Sequence, residues 1–175
     1  MAQQAVRWED VWKQNGGLKK GVAFDAAEPL PFIKNLFEAN LIPKGKGLVP
    51  GCGRAYAVAA LAQDGRHVTG LDIAETAISK AQELLDELGT DPATYDLVLG
   101  SFFDMSTSFD FAYDYTFLCA LPPALREKWA ETYARIIKPG GVLVTVVFPI
   151  DFQPPRPPGS GPPFDMTVDL VTNLL

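Results

Sequence analysis

Between residues 47 and 72 the chain runs from a short apolar stretch, Gly47 to Pro50, through the turn Gly51-Cys52-Gly53 into the alanine-rich segment Tyr56 to Gln63. A second apolar stretch, His67 to Leu71, then ends on an acid, Asp72. This order reads as strand, glycine turn, helix and strand, the opening unit of an α/β sheet. Gly51 and Gly53 permit positive φ and lack the Cβ atoms that would hold a ligand off the backbone, while the helix N-terminus beyond them favours negative charge. Asp72 follows Gly53 by 19 residues, close to the roughly 20 expected of an acid that hydrogen-bonds ribose hydroxyls. A nucleoside ligand is implied. The motif alone leaves a nicotinamide dinucleotide and S-adenosylmethionine both open, and Ala55 stands where a third glycine is usual.

The flanking sequence extends the same pattern. Trp8 to Gln14 predicts a short helix with Trp8, Val11 and Trp12 on one face, part of a covering helix over about residues 7–15 that Gly16-Gly17 stops. Pro31 to Asn40 predicts a second helix, carrying Phe32, Ile33, Leu36 and Phe37. The stripe Ala77, Ile78, Ala81, Leu84, Leu85 and Leu88, ended by Gly89, predicts another. Tyr95 to Leu99 reads as a third strand, and Phe109 to Phe117, with aromatics at alternate positions, as a fourth. Pro123 to Ile137 predicts a helix closed by Lys138-Pro139-Gly140-Gly141, and Val142 to Phe148 a strand buried on both faces. Strands alternating with helices imply a Rossmann-like, doubly wound, mostly parallel sheet, with ligands beyond the carboxyl ends of the strands where the winding reverses.

A chain of 175 residues suits a single domain over 1–175. Its 15 Lys+Arg against 21 Asp+Glu give a net charge of -6, which argues against a nucleic-acid or anionic-membrane partner, since either requires a basic face. Two cysteines outside any zinc spacing and one histidine predict no metal site. The N-terminus lacks the apolar core of a signal peptide and no apolar stretch reaches the roughly 20 residues of a membrane span, so a cytoplasmic protein is expected. Low-complexity character is confined to the proline-rich segment Pro154 to Pro163.

Several side chains carry competing readings. Trp8 and Trp12, one helical turn apart, either anchor a helix to the core or form part of a ligand site. Asp114 lies in an aromatic-rich strand, where a carboxylate needs a polar partner or a ligand. His67 opens the second strand, a place for a surface or core role, and Cys119 reads as a small buried apolar residue.

The segments LVPGCGRAY, VTGLDIAETA, GSFFD, FDFAYDYTFLCALPPALREKWA and KPGGVLVTVVFPID, in this order, resemble the thiol and halide methyltransferases of the thiopurine S-methyltransferase-like family, within the class I S-adenosylmethionine-dependent methyltransferases. The likeness runs from about Trp8 to Phe164, and its most specific piece is DYTFLCALPPALREKWA with the later FPID and GPPF. It implies S-adenosylmethionine as cofactor and a small thiol or halide as acceptor. It also implies that Gly51 and Gly53 pack against the methionine part and that Asp72 binds the ribose. By the same likeness Ile73 and Phe102 bracket the adenine and Ser101 stands near its amino group. Trp8, Trp12 and Phe24 form a cover, and Asp114 and Tyr115 lie near the sulfonium. Arg126 either draws an anionic acceptor to the site or is a solvated helix charge. The implied chemistry is in-line displacement by a soft anion, which requires alignment and desolvation more than a general base.

The family pattern is broken in places. It carries Trp-Asp where this chain has Phe24-Asp25, an acid where Ser101 stands, and Tyr where Phe164 stands, which predicts altered acceptor preference or weaker turnover. The family also continues through the helix begun at Val168 into two more strands, so a C-terminally truncated class I fold without its last two strands is expected, its apolar edge inviting self-association. Two other readings therefore stand: a weak or inactive paralogue that binds cofactor or a partner, and a nicotinamide-dependent reductase.

Overall fold

The computed structural model describes residues 7–14, 18–22, 24–150, 155–157 and 159–175. Gly16-Gly17, Asp151 of the FPID segment, and Pro154 and Pro158 of the proline-rich stretch lie outside the described residues. In chain order the elements are α1 (Trp8–Lys13), α2 (Phe32–Glu38), β1 (Gly45–Pro50), α3 (Tyr56–Leu61), β2 (Arg66–Asp72), α4 (Glu75–Glu87), β3 (Tyr95–Leu99), β4 (Phe109–Tyr115), α5 (Arg126–Ile136), β5 (Ile137–Val146) and α6 (Val168–Leu174).

The five strands form one parallel sheet in the order β3-β2-β1-β4-β5. Winding proceeds from β1 outward to β3, then returns across β1 to β4 and β5, so it reverses between β1 and β4. Ligands of such sheets lie beyond the carboxyl ends of the strands at this point. The two residue sets alternate strictly enough to build two cores. Val49, Val68 and Tyr113 pack with Ile33 and Leu36 of α2, Val58 and Leu61 of α3, and Ala81 and Leu85 of α4. On the other face Leu48, Leu71 and Ala112 pack with Trp129, Tyr133 and Ile136 of α5 and Val171 of α6. Full burial of each large apolar side chain contributes roughly 1.5–3 kcal/mol, so these two layers hold the strand ends in place.

Four expectations are corrected. β5 begins at Ile137, which pairs with Phe109; a register shift lets Lys138 to Gly141 bulge out before Val142 pairs with Phe111. Residues 142–147 are half-buried and not enclosed on both faces, because β5 is the sheet edge and pairs only with β4 among the described residues. β4 stops at Tyr115, since Thr116 takes φ +60° and turns the chain, which sends Phe117 back under the glycine loop. The turn ahead of α5, Pro123–Leu125, is a 3-10 turn and not part of the helix.

Candidate active site

The loop after β1 adopts a backbone that explains its glycines. Gly51, Gly53 and Ala55 have φ of +57°, +52° and +67°. Ala55 therefore holds the left-handed conformation of the missing third glycine, its methyl buried in the α3 core. A Cβ on Gly51 would come within 2.7 Å of the Phe117 ring, and one on Gly53 within 3.3 Å of Trp12. The loop is also tied to β2: Cys52 N–H donates to Leu71 O at 3.0 Å and Gly53 N–H to Asp72 Oδ2 at 3.0 Å.

Asp72 accepts a second amide, Ala74 N–H, on Oδ1 at 3.0 Å. Burial pushes its carboxyl above the usual aspartate value, against the opposing pull of these amides. The Ile73 amide also acts on this carboxylate, whose two oxygens together accept up to about four hydrogen bonds, so capacity for a ribose hydroxyl remains. Ile73 beside it is 61% exposed, and Leu99, which pairs with Asp72 in the register of β2 and β3, is 53% exposed. An acid with spare acceptors, apolar side chains open at adjoining strand ends and a bare glycine backbone together fit an adenosine bearing a short polar chain.

The N-terminal segment covers this corner. Trp12 is 3% exposed and packs with Ala74 and Ala77 at the start of α4, while Phe24, on the surface, meets Trp8 and Trp12 edge-on at 5.7 and 5.5 Å. Trp12 thus anchors α1 and also lies against Gly53. Glu9 pins α1 from the other side, accepting Thr76 Oγ1–H at 2.6 Å and Thr76 N–H at 3.1 Å. These bonds, with Lys13, hold its carboxyl down at about 2. Arg54 and Asp25 form a buried ion pair, Nε to Oδ2, at 2.5 Å. Sequence reasoning missed Glu9, Thr76, Arg54 and the partner of Asp25; no local signal marks residues that meet across 29 and 67 positions.

Other expected site residues go elsewhere. Asp114 is 1% exposed and receives Trp129 Nε1–H at 2.8 Å, Tyr133 Oη–H at 3.1 Å and Leu118 N–H at 3.2 Å. Burial raises its carboxyl above the ordinary range while these three donors oppose the rise. Its carboxylate is thus engaged by donors of α5 and of the turn after β4. Phe102 is likewise core, its ring 5.1 Å from Phe117 and 4.8 Å from Tyr133. Ser101 Oγ accepts Phe103 N–H at 3.3 Å and caps the short turn after β3. Tyr115 points to the opposite sheet face from Asp114, its ring 6.3 Å from Phe148. Burial pushes the Cys119 thiol up to about 12, and His67, bonded to Asp96 at 2.7 Å, sits at the end of β2 remote from Asp72.

A cavity of about 280 Å3 at the start of α5 is lined by Pro123, Arg126, Gly159, Ser160, Phe164 and Asp165. Phe164 N–H donates to Cys119 O at 2.7 Å, which seats the phenyl ring against the turn after β4. Arg126 donates from Nη2 to Asp165 O at 3.0 Å, and burial lowers its pKa from the usual arginine value. Phe117, lying under Gly51, begins the same turn that carries Cys119, and the Cys119 carbonyl in turn holds the backbone of Phe164.

The sheet order, the glycine loop and the acid at the next strand end define a class I methyltransferase fold. Among solved structures, the magnesium protoporphyrin IX methyltransferase of Synechocystis PCC 6803 superposes with a TM-score of 0.55 at 20% identity, over 61% of this chain and 49% of that one, a likeness of fold. The family model for thiopurine S-methyltransferase matches residues 3–175. The chain belongs to the thiopurine S-methyltransferase family of S-adenosylmethionine-dependent methyltransferases. Two relatives from Arabidopsis thaliana are a probable thiol methyltransferase 2, 36% identical over 170 residues, and a thiocyanate methyltransferase 1, 33% identical over 172 residues. Each match covers 96% of this chain and 70% of the relative.

Proposed function

We propose that the chain binds S-adenosylmethionine at the glycine loop and Asp72 and methylates a small soft anion, a thiolate, thiocyanate or halide. The observation that carries the donor half is the Gly53–Asp72 hydrogen bond, which joins the bare backbone to an acid with unused acceptor capacity. The acceptor half rests on the Arg126 cavity and on the names of the two plant relatives. Bound donor supplies an electrophilic sulfonium methyl. Asp72 orients the ribose, Trp12 and Phe24 shield the corner from water, and the glycines let the backbone approach. Arg126 attracts the anion, and Phe164 and Pro123 desolvate it, which strengthens the pull of the guanidinium and frees the nucleophile's lone pair. The cavity wall offers no histidine, and the nearby Cys119 thiol stays protonated. Acceptors that arrive already anionic suit such a site better than hydroxyls that must lose a proton.

Titration of S-adenosylhomocysteine by calorimetry, followed by assays with hydrosulfide, thiocyanate, iodide and an aromatic thiol, tests this reading. Binding near one per chain with turnover of the small anions supports it; turnover of neutral hydroxyl acceptors alone overturns the acceptor class. Binding without turnover would support instead a weak or inactive relative, a reading favoured by Phe164, whose ring lacks a hydroxyl. Family membership leaves the nicotinamide reductase without support. Among the described residues no helix is long and apolar enough to cross a membrane.

A further inference from the structure

Residues 18–22 and 24–28 cross the corner above the glycine loop, and the apolar contacts given for them are those of Leu18 with the Trp12 cluster and of Phe24 edge-on to Trp8 and Trp12. Lys19, Lys20, Gly21, Val22 and Phe24 are all exposed, and of this stretch only Asp25 is buried. The surface ion pair of Lys20 with Glu87 contributes little in water. The Asp25 side chain, 1% exposed, gives Oδ2 to Arg54 Nε, while Oδ1 accepts Ala27 N–H at 2.9 Å and Gly21 N–H at 3.3 Å. Arg54 also donates from Nη2 to Leu18 O, and its guanidinium carbon lies 5.8 Å from the centre of the Trp12 ring. One arginine fork therefore grips both ends of the crossing segment and the tryptophan beneath it.

Arg54 directly follows Gly53, whose amide is on Asp72, and Asp72 also takes the amide of Ala74. From Ala74 the start of α4 leads to Thr76, which Glu9 ties to α1. The polar contacts thus form a closed circuit: crossing segment, glycine loop, the end of β2, the start of α4, and α1. Buried ion pairs gain little net stability over apolar packing, because desolvation offsets their attraction, and one that joins two loops acts chiefly on geometry.

We propose that Arg54 and Asp25 are positioning residues whose ion pair locks the crossing segment and Trp12 onto Gly53 and so sets the affinity of the donor site. The inference rests on the donor reading above. Neither side chain needs to touch the ligand. The pair acts through the angle of the glycine loop and through the closure of the aromatic cover.

The test compares the parent chain with Arg54→Lys and with the double variant Asp25→Ala/Arg54→Ala, which leaves no unpaired buried charge. Three readouts are taken: thermal melting, calorimetric affinity for S-adenosylhomocysteine, and the rate of tryptic cleavage after Lys19 and Lys20. The double variant is expected to melt cooperatively, bind about tenfold more weakly and be cut about tenfold faster, with the donor KM raised and the acceptor KM unmoved. Arg54→Lys keeps the charge but not the fork, so it falls between parent and double variant. A cooperatively melting double variant that binds and is cut like the parent overturns the proposal. If the double variant does not fold, parent-like affinity and cleavage in Arg54→Lys overturn it in the same way. A folded parent that fails to bind S-adenosylhomocysteine overturns the donor reading itself, an outcome distinct from a variant that binds like a binding parent.

Discussion

Gly53 N–H donates to Asp72 Oδ2 at 3.0 Å, joining the ends of two neighbouring strands through one carboxylate. The same carboxylate orders Ala74 at the start of α4, so Asp72 shapes the proposed donor site as well as offering acceptors to it. Asp72→Ala removes the acceptor for both amides and for the ribose. Charge-assisted hydrogen bonds contribute about 1.5–3 kcal/mol each, so S-adenosylhomocysteine affinity should fall by about 100-fold in calorimetry. Parent-like affinity in a folded variant would remove Asp72 from the donor site. Because burial raises its pKa, affinity for S-adenosylhomocysteine should fall on acidification at a pH above the ordinary aspartate value of 3.8, as the carboxylate that accepts the hydroxyls is lost.

Trp129 Nε1–H, Tyr133 Oη–H and Leu118 N–H all end on Asp114. Asp114→Ala orphans buried donors at about 1–3 kcal/mol each, and we expect a loss of about 3 kcal/mol in urea denaturation. The pH dependence has a definite sign. The folded-state pKa is raised, so this contribution to stability is complete below the unfolded value and declines as pH rises through the folded one. The stability of the parent relative to Asp114→Asn should therefore fall with rising pH across that window; a flat difference would contradict the raised pKa.

A Cβ at Gly47 would overlap the ring of Phe111, the residue paired with it across β1 and β4 and itself fully buried. The ring is fully buried, so Gly47→Ala should cost about 1–3 kcal/mol through overpacking. Thermal melting measures this directly. An unchanged midpoint would show that the ring has room to move.

Trp12→Ala empties the space against Gly53 and uncouples α1 from α4. Donor affinity should drop about tenfold or more while the main melting transition, carried by the sheet, shifts little. Unchanged affinity would leave Trp12 as an anchor alone.

Among the described residues no strand pairs with the outer edge of β5, whose valines are half-buried. Strands of this kind pair with other chains unless charge or a bulge blocks them, and β5 carries its bulge only near residue 138. Sedimentation at increasing concentration should show self-association. A single monomeric mass throughout would mean that the edge is covered in solution.

The order of strands and helices was legible because residues three to four apart on a helix, or two apart on a strand, report the face of their own element. Ala77, Ala81, Leu84 and Leu85 are all buried along α4 as their spacing requires, and Tyr95–Leu99 is the strand its composition implies. The glycine loop was equally readable, since positive φ and close approach are properties of the backbone at those residues. Strand ends were read less well. Phe117 continues an alternating aromatic pattern yet turns away, and no periodicity records the φ of Thr116.

The sequence by itself therefore determined the parallel α/β plan, the glycine loop after β1 and the acid that ends β2, all of which follow from local spacing. Only the tertiary structure decided which polar groups are spent on one another. Asp114 is claimed by Trp129 and Tyr133, and Asp25 by Arg54, because helix and loop packing sets residues 15 to 29 positions apart within hydrogen-bond reach. A buried carboxylate must find donors wherever packing presents them, and that requirement joins Asp114 to α5 and Asp25 to the glycine loop.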